Sequence, residues 1–394
     1  MRSLIKKLLP KWMLILLKQI RSMWIVSLFQ LFHMFPINKK RVVICNVWGF
    51  GDNAKYVTEE LVRRRKIHSY EIIFITNNTQ NAKAPEGVRV LKTNSTRAIM
   101  ALATARIWVD NNRKENYIRK RKGQYYIQTW HGGIALKKIE KDYAEKLGER
   151  YIANAKRDSK MADLFVSNSK FCTDLYHNSF WYQGEVIECG SPRNDILLNS
   201  DPMVLTEIRT RLGVQSNVKI AIYAPTYREG NDTEPYNLDF GNILTTLEER
   251  FGGEWVIAVR LHPLVSEQSG FLNYDERILN ASHYRDIYEL MAVGALLITD
   301  YSNIMFEFSF MKKPVFLYAM DEEEYTKERG FYFKYDSLPY DRAKTQEKLI
   351  ENIEIYQEDA YQVKVQTFLN TLTIYETGEA SKQVVDRILE VLKL

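Results

Sequence analysis

From residue 41 onward, short apolar runs alternate with stretches patterned for helices. A β-branched run at 42–47 leads into Gly49-Phe50-Gly51-Asp52-Asn53 and then a helical pattern over 54–65. Further strands are predicted at 71–76, 106–110, 125–129, 164–169 and 185–189. The polar stretch Asn199-Ser200-Asp201-Pro202 interrupts this series and reads as a linker. Beyond it the alternation restarts, with strands at 218–224, 255–261, 295–299 and 314–318 and helices at 242–251, 285–293 and 304–311. Residues 342–358 and 379–393 are patterned as closing helices. This rhythm belongs to parallel, doubly wound sheets. It predicts an α/β chain of two Rossmann-type domains, 39–200 and 201–394, facing a cleft.

The first 38 residues follow another pattern. Leu, Ile, Trp, Phe and Met crowd residues 4–35, but Lys11, Lys18 and Arg21 interrupt them. No uncharged run reaches the roughly 18–20 residues of a spanning helix. The broken apolar run, with no small-residue cleavage site after it, also does not fit a cleavable signal peptide. On a helical wheel Lys7, Lys11, Lys18, Arg21 and Ser22 fall within about 100° of one another. Trp12, Leu16, Ile20, Met23, Trp24 and Leu28 lie largely outside that stripe. The pattern predicts an amphipathic helix in the surface of an anionic membrane, beginning near Pro10. A helix packed on the protein's own body is the alternative.

Charge sharpens this division. The 394 residues are 45% hydrophobic, enough for two cores, and carry a net +6. Nine Lys or Arg precede the first acidic residue, Asp52, so the rest of the chain is mildly acidic, near −3. No basic face for nucleic acid is spread over the fold. Cys45, Cys172 and Cys189 stand far apart, without the spacing of a disulfide framework or a zinc site, and a reducing compartment is the simpler reading. The six histidines are scattered and show no metal-ligand spacing.

Candidate chemistry gathers just after predicted strands, where open α/β sheets bind ligands. Gly49 and Gly51 allow close backbone approach beside Asp52 and Asn53, without the third glycine of a dinucleotide fingerprint. Gln128-Thr129-Trp130-His131-Gly132-Gly133 sets a histidine before two glycines, a placement suited to a general base. Lys137 and Lys138 offer charge for a phosphate. Ala224-Pro225-Thr226-Tyr227-Arg228 and Arg260-Leu261-His262-Pro263 also end strands, and an arginine fork donates two parallel hydrogen bonds to a phosphate. Thr299-Asp300-Tyr301-Ser302-Asn303 brings hydroxyls and free N–H groups to a helix start, with Glu307 placed to reach a ribose hydroxyl. Together these residues indicate a phosphate-rich ligand in the cleft, and they do not name it.

The strings themselves point further. Trp130-His131-Gly132-Gly133-Ile134-Ala135-Leu136-Lys137-Lys138-Ile139 resembles the W-H-G-T-P-L-K-K signature of the CDP-glycerol glycerophosphotransferases, the teichoic-acid primases and polymerases. Gly190-Ser191-Pro192-Arg193-Asn194-Asp195 is similar to that family's G-x-P-R-N-D, and Tyr223-Ala224-Pro225-Thr226-Tyr227-Arg228 to its Y-A-P-T-[WY]-R. Arg260-Leu261-His262-Pro263 resembles R-x-H-P, and residues 298–307 resemble I-T-D-Y-S-S-x-x-F-[DE]. Asp52-Asn53, Lys313-Pro314 and Arg329-Gly330-Phe331-Tyr332 fall where the family has equivalents. In place of T-P this sequence has Gly133-Ile134, a departure that bears on the acceptor side.

The resemblance implies a GT-B-like architecture and transfer of a polyol phosphate, most simply glycerol phosphate, from a CDP-activated donor. The acceptor would be a hydroxyl of a lipid-linked or polymeric cell-envelope chain, and CMP would leave. It implies His131 as the base and counts His262 among the catalytic residues, binding or neutralising the diphosphate together with Arg260. Thr226, Arg228, Arg260, Thr299, Asp300, Ser302, Asn303 and Glu307 fall on the donor side, and Gly49, Asp52, Asn53, Lys137 and Lys138 on the acceptor side. It implies an enzyme at the cytoplasmic face of a bacterial membrane, and supplies no ligand cluster for a divalent ion. The alternatives are a CDP-ribitol donor or a GT-B transferase using a nucleotide sugar.

Overall fold

Two parallel sheets organise the chain, seen in a computed structural model that describes residues 10–80, 82–228, 236–262, 265, 272–328 and 330–394. The first sheet holds β1 (Asn38–Cys45), β2 (Glu71–Thr76), β3 (Val88–Lys92), β4 (Ala105–Asp110), β5 (Tyr125–Gln128), β6 (Leu164–Ser167) and β7 (Glu185–Glu188), in the order β3-β2-β1-β4-β5-β6-β7. The second holds β8 (Lys219–Tyr223), β9 (Trp255–Val259), β10 (Ile278–Asn280), β11 (Leu296–Thr299), β12 (Val315–Tyr318) and β13 (Asp341–Ala343), in the order β10-β9-β8-β11-β12-β13. Helices cover both faces of each sheet. The central strands are therefore continuous apolar runs rather than alternating ones: Val42, Val43 and Ile44 of β1 are all fully buried.

Strand order reverses between β1 and β4 in the first sheet and between β8 and β11 in the second. Val42 pairs with Ile72 on one side and Ile107 on the other, and Ile222 pairs with Ala258 and with Leu297. Such reversals open a crevice at the carboxyl ends of the strands. Here the two crevices face each other, giving the GT-B-like arrangement.

Two expectations need correction. Residues 342–358 are not one helix: β13 is followed by the helix Gln346–Glu354, capped by Thr345, and a separate helix runs from Glu358 to Leu372. The expected second unit, 201–394, also does not stay with its own sheet. The last helix, Ala380–Leu392, crosses back and buries Val384, Val385 and Ile388 with Val42, Ile44 and Leu61 of the first half. Without it, a face of the first sheet would meet water, at a cost of about 1.5–3 kcal/mol per large aliphatic side chain. Asp195 fixes the crossing by accepting from the Ala380 and Ser381 amides at 2.8 and 2.7 Å.

The N-terminal helix spans Lys11–Phe32, 22 residues, and so measures about 33 Å against a hydrocarbon core of about 30 Å. By length and composition it is long and apolar enough to cross a membrane. Its amphipathic character is weak, which corrects the expected narrow contrast of basic and apolar faces. Ile25 and Phe29 are buried on the body, while Trp12, Leu16, Ile20, Met23, Trp24 and Leu31 are exposed. The exposed apolar residues wrap around much of the helix. Of the expected basic stripe, Lys7 lies outside the described residues and Arg21 is exposed.

Candidate active site

The turn after β5 carries His131 into the cleft under backbone strain. Trp130, just before it, has φ 54°, a left-handed conformation costing a non-glycine residue of order 1–3 kcal/mol. Its indole is held edge-on to Phe180 at 4.8 Å, with the Arg113 guanidinium 5.3 Å from the ring. Arg113 is fixed in turn by Glu140 at 2.9 Å and Asp158 at 3.3 Å. Packing beneath the turn thus keeps the strained conformation.

His131 Nδ1 lies 2.8 Å from the backbone carbonyl of Asn111, at the end of β4. A carbonyl oxygen only accepts, so Nδ1 donates to it, and in the neutral ring the lone pair is then on Nε2. The side chain is exposed to the cleft. This is the arrangement a general base requires.

Arg193, which sequence patterning alone does not single out, ties the cleft together. It is almost wholly buried, and Nη1 donates to Asp52 Oδ1 at 2.8 Å and to the His131 carbonyl at 2.7 Å. Its Nη2 donates to Glu307 Oε1, in the second half, at 2.5 Å. Tyr288 donates to the other Glu307 oxygen at 2.7 Å and lies under the guanidinium. Glu307 is therefore a buried anchor between the halves, not a carboxylate held in the open. Its nearness also accounts for Gly133: a Cβ there would stand 2.6 Å from Asn168 Nδ2 and 3.1 Å from Glu307 Oε1.

Asp52 and Asn53 support the same turn. Asp52, itself at φ 56°, accepts from the Asn111 side chain at 2.7 Å. Asn53 is buried and donates to the Trp130 carbonyl at 2.9 Å while accepting from the Arg193 amide at 3.1 Å. Lys138 is exposed, and its amide donates to the Gly330 carbonyl at 2.8 Å, joining Leu136–Lys138 to the loop around Phe331 and Tyr332. Lys137 lines the cleft with its ammonium 2.5 Å from the Tyr325 hydroxyl.

On the second half, Thr226, Arg260, His262, Ser302 and Asn303 line the cleft opposite His131. Asn303 also accepts from the Leu136 amide at 3.0 Å across it. Three of the expected donor-side residues turn inward. Thr299 donates to the Ala224 carbonyl at 2.7 Å. Asp300 is buried and accepts from Thr226 Oγ1 at 2.6 Å and from Arg228. Arg228 also grips Asp321 through two hydrogen bonds of 2.9 Å. This cage shapes the wall behind Thr226.

Arg260 differs from these arginines. Its Nη1 meets the Ala281 and Tyr284 carbonyls, and among the described residues it forms no salt bridge, although the charge of Asp286 acts on it. Burial lowers its pKa, as it does for His262, whose ring lies 4.9 Å from that of Tyr227. A guanidinium held at the floor of a cleft by carbonyls rather than gripped by a carboxylate suits an anionic ligand. Pro263 lies outside the described residues. Among the described residues no group of three or more His, Cys, Asp or Glu side chains is placed to hold a metal ion.

Residues 27–390 match the family model described as CDP-Glycerol:Poly(glycerophosphate) glycerophosphotransferase. The chain belongs to this family. Among glycerophosphotransferase relatives, a teichoic acid poly(glycerol phosphate) polymerase of Bacillus spizizenii is 30% identical over 92% of this chain and 95% of its own length. A polymerase of the same description from Staphylococcus epidermidis is 31% identical over 90% of this chain, which spans about half that protein, 51%. A solved structure of the wall teichoic acid polymerase TagF superposes with a TM-score of 0.81 at 29% identity, covering 96% of each chain. A TagF variant was soaked with CDPG.

Asn111, Tyr288 and Asp321 were not expected at the site. Asn111 had the clearest signal, since Asp110-Asn111-Asn112 closes a predicted strand. Tyr288 and Asp321 are distant in sequence from any motif, and only the fold brings them in.

Proposed function

We propose that the chain transfers glycerol phosphate from CDP-glycerol to a hydroxyl of a lipid-linked or polymeric glycerol-phosphate acceptor and releases CMP. The observation that carries this reading is the pairing of two features across one cleft. His131, whose Nδ1 is held by the Asn111 carbonyl so that the neutral ring keeps its lone pair on Nε2, stands opposite Arg260, which forms no salt bridge among the described residues.

In this reading Nε2 takes the proton of the acceptor hydroxyl. The oxygen attacks the phosphorus that bears glycerol, and the bond from that phosphorus to the oxygen shared with CMP breaks. Charge moves onto the departing CMP phosphate, where Arg260 and His262 stabilise it, with Thr226 and Ser302 supplying hydroxyl donors. Phosphoryl transfer depends mainly on such positioning and charge stabilisation. Gly49, Asp52, Asn53, Lys137 and Lys138 belong to the acceptor side, chiefly as supports of the His131 turn and of the contact between the halves.

The enzyme works as a peripheral protein at the cytoplasmic face of the membrane, on an anionic leaflet. Support comes from the exposed apolar residues of the helix Lys11–Phe32 and the nine basic residues before Asp52. The test is incubation with CDP-glycerol, CDP-ribitol and UDP- and GDP-sugars beside lipid-linked and polyol-phosphate acceptors. CMP from CDP-glycerol supports the reading, and UDP or GDP release contradicts it.

A further inference from the structure

Gln128 ends β5, and its side chain is fully buried behind the His131 turn. Its Oε1 accepts from the Trp130 amide at 2.8 Å. Its Nε2 donates to the Asn112 carbonyl at 3.0 Å and to the Tyr126 hydroxyl at 2.8 Å. We propose that Gln128 is a positioning residue for the base: it holds the Trp130–His131 turn against the Asn111–Asn112 segment, and so decides which nitrogen of the neutral His131 ring keeps the lone pair. The proposal rests on the reading of His131 as the base and deepens it by naming what holds the ring.

Both partners of the hydrogen bond that orients His131 adjoin a group that Gln128 grips. His131 follows Trp130, and Asn111, whose carbonyl lies 2.8 Å from His131 Nδ1, precedes Asn112. One planar amide thus spans the two backbone segments that must stay in register for Nδ1 to be held. Its orientation is fixed, because the Trp130 N–H only donates and the Asn112 carbonyl only accepts. Both protons of Nε2 are used. Tyr126 accepts the second one and in turn donates to the buried Asp158 at 3.2 Å.

The turn needs such a hold. The backbone ladder between β4 and β5 reaches its end with the Thr129 amide on the Asp110 carbonyl at 2.9 Å. Beyond that bond the Gln128 side chain carries the connection on to Asn112 and Trp130. Trp130 stands at φ 54°, a conformation that persists in a non-glycine residue only where the surroundings enforce it. Asn53 pins its carbonyl and Gln128 its amide, and of these two Gln128 also grips the segment that carries Asn111.

The test is ring-nitrogen NMR of His131 in the full chain, at a pH where the ring is neutral, with CMP release measured beside it. The parent should show the Nδ1–H tautomer. Gln128→Met keeps the volume and loses all three hydrogen bonds. Gln128→Glu keeps an acceptor for Trp130 but turns an oxygen towards the Asn112 carbonyl. Both variants, measured below their melting transitions, should admit the Nε2–H tautomer and lower kcat by about ten-fold or more. Gln128 is fully buried and touches no ligand, so KM for CDP-glycerol should stay within about two-fold of the parent. In a His131→Ala background Gln128→Met should cost no further turnover, because nothing is left to position. An Nε2–H tautomer in the parent, an unchanged tautomer in both variants, or a full Gln128→Met effect in the His131→Ala background overturns the role. A parent that shows the Nδ1–H tautomer, loses it on Gln128 substitution and releases no CMP counts against the transfer reading alone.

Discussion

Arg193 and Glu307 meet at 2.5 Å across the cleft, one from each half of the chain, and both are almost completely buried. The same guanidinium holds Asp52 and the His131 carbonyl, so one side chain sets the base turn and joins it to the second half. Removing one member of a buried pair leaves an uncompensated charge, at about 3–5 kcal/mol. Arg193→Ala should lower both the melting temperature and turnover, and Glu307→Gln, which still accepts from its neighbours, should do so less. An Arg193→Ala protein that melts with the parent would show that this pair does not hold the halves together.

The Asn111 contribution divides by atom. Its backbone carbonyl fixes the His131 tautomer, while its side chain donates to Asp52 and accepts from the Asn112 side chain. Asn111→Ala keeps the carbonyl and loses two side-chain hydrogen bonds, of which only the one to Asp52 bears on the His131 turn, so CMP release should fall about ten-fold or less. Asp52→Ala leaves Arg193 and Asn111 both short of an acceptor and should cost more. The reverse order, from steady-state rates of the two variants, would contradict the support chain described here.

A pH dependence is built in where the chain crosses between sheets. Glu376 accepts from the Ser191 amide at 3.2 Å and from Asn194 at 2.6 Å, and burial pushes its pKa from 4.5 up to about 8. Between those values the folded protein holds a proton that the unfolded chain has released, so stability from this group is lost as pH rises through the window. Glu376→Gln removes that dependence. Melting curves from pH 5 to 8 should show the variant gaining on the parent as pH rises, and parallel curves would refute the assignment.

The N-terminal helix offers a clean truncation. Deleting residues 1–38 would also strip Ile25 and Phe29 from the core. Deleting only residues 1–22 keeps that packing and removes Trp12, Leu16 and Ile20. Cosedimentation with anionic liposomes should be lost at low salt while CDP-glycerol binding persists. Undiminished cosedimentation would mean that the membrane contact lies elsewhere.

Much of this fold was legible because its central strands are buried on both faces and must be apolar runs. Glu71–Thr76 and the helix start at Ile304 fall where the pattern puts them. Of the four edge strands only β7 showed. In β3, Val88–Lys92, Arg89 and Lys92 are exposed, and β10 and β13 are three residues each, too short for a periodic signal. The site was legible as turns, since His131, Thr226, Arg260 and Ser302 each follow a strand. Its wiring was not. Arg193 reaches Glu307 over 114 positions, and nothing local marks Glu307 as buried rather than solvated at a helix start.

The central claim is that His131 Nε2 is the base in transfer from CDP-glycerol. The most direct measurement is CMP release from CDP-glycerol with a glycerol-phosphate acceptor, by the parent and by His131→Ala. The account predicts release by the parent and a fall of about 10²–10⁴-fold in the variant, with CDP-glycerol affinity retained. Undiminished CMP release by His131→Ala would contradict it.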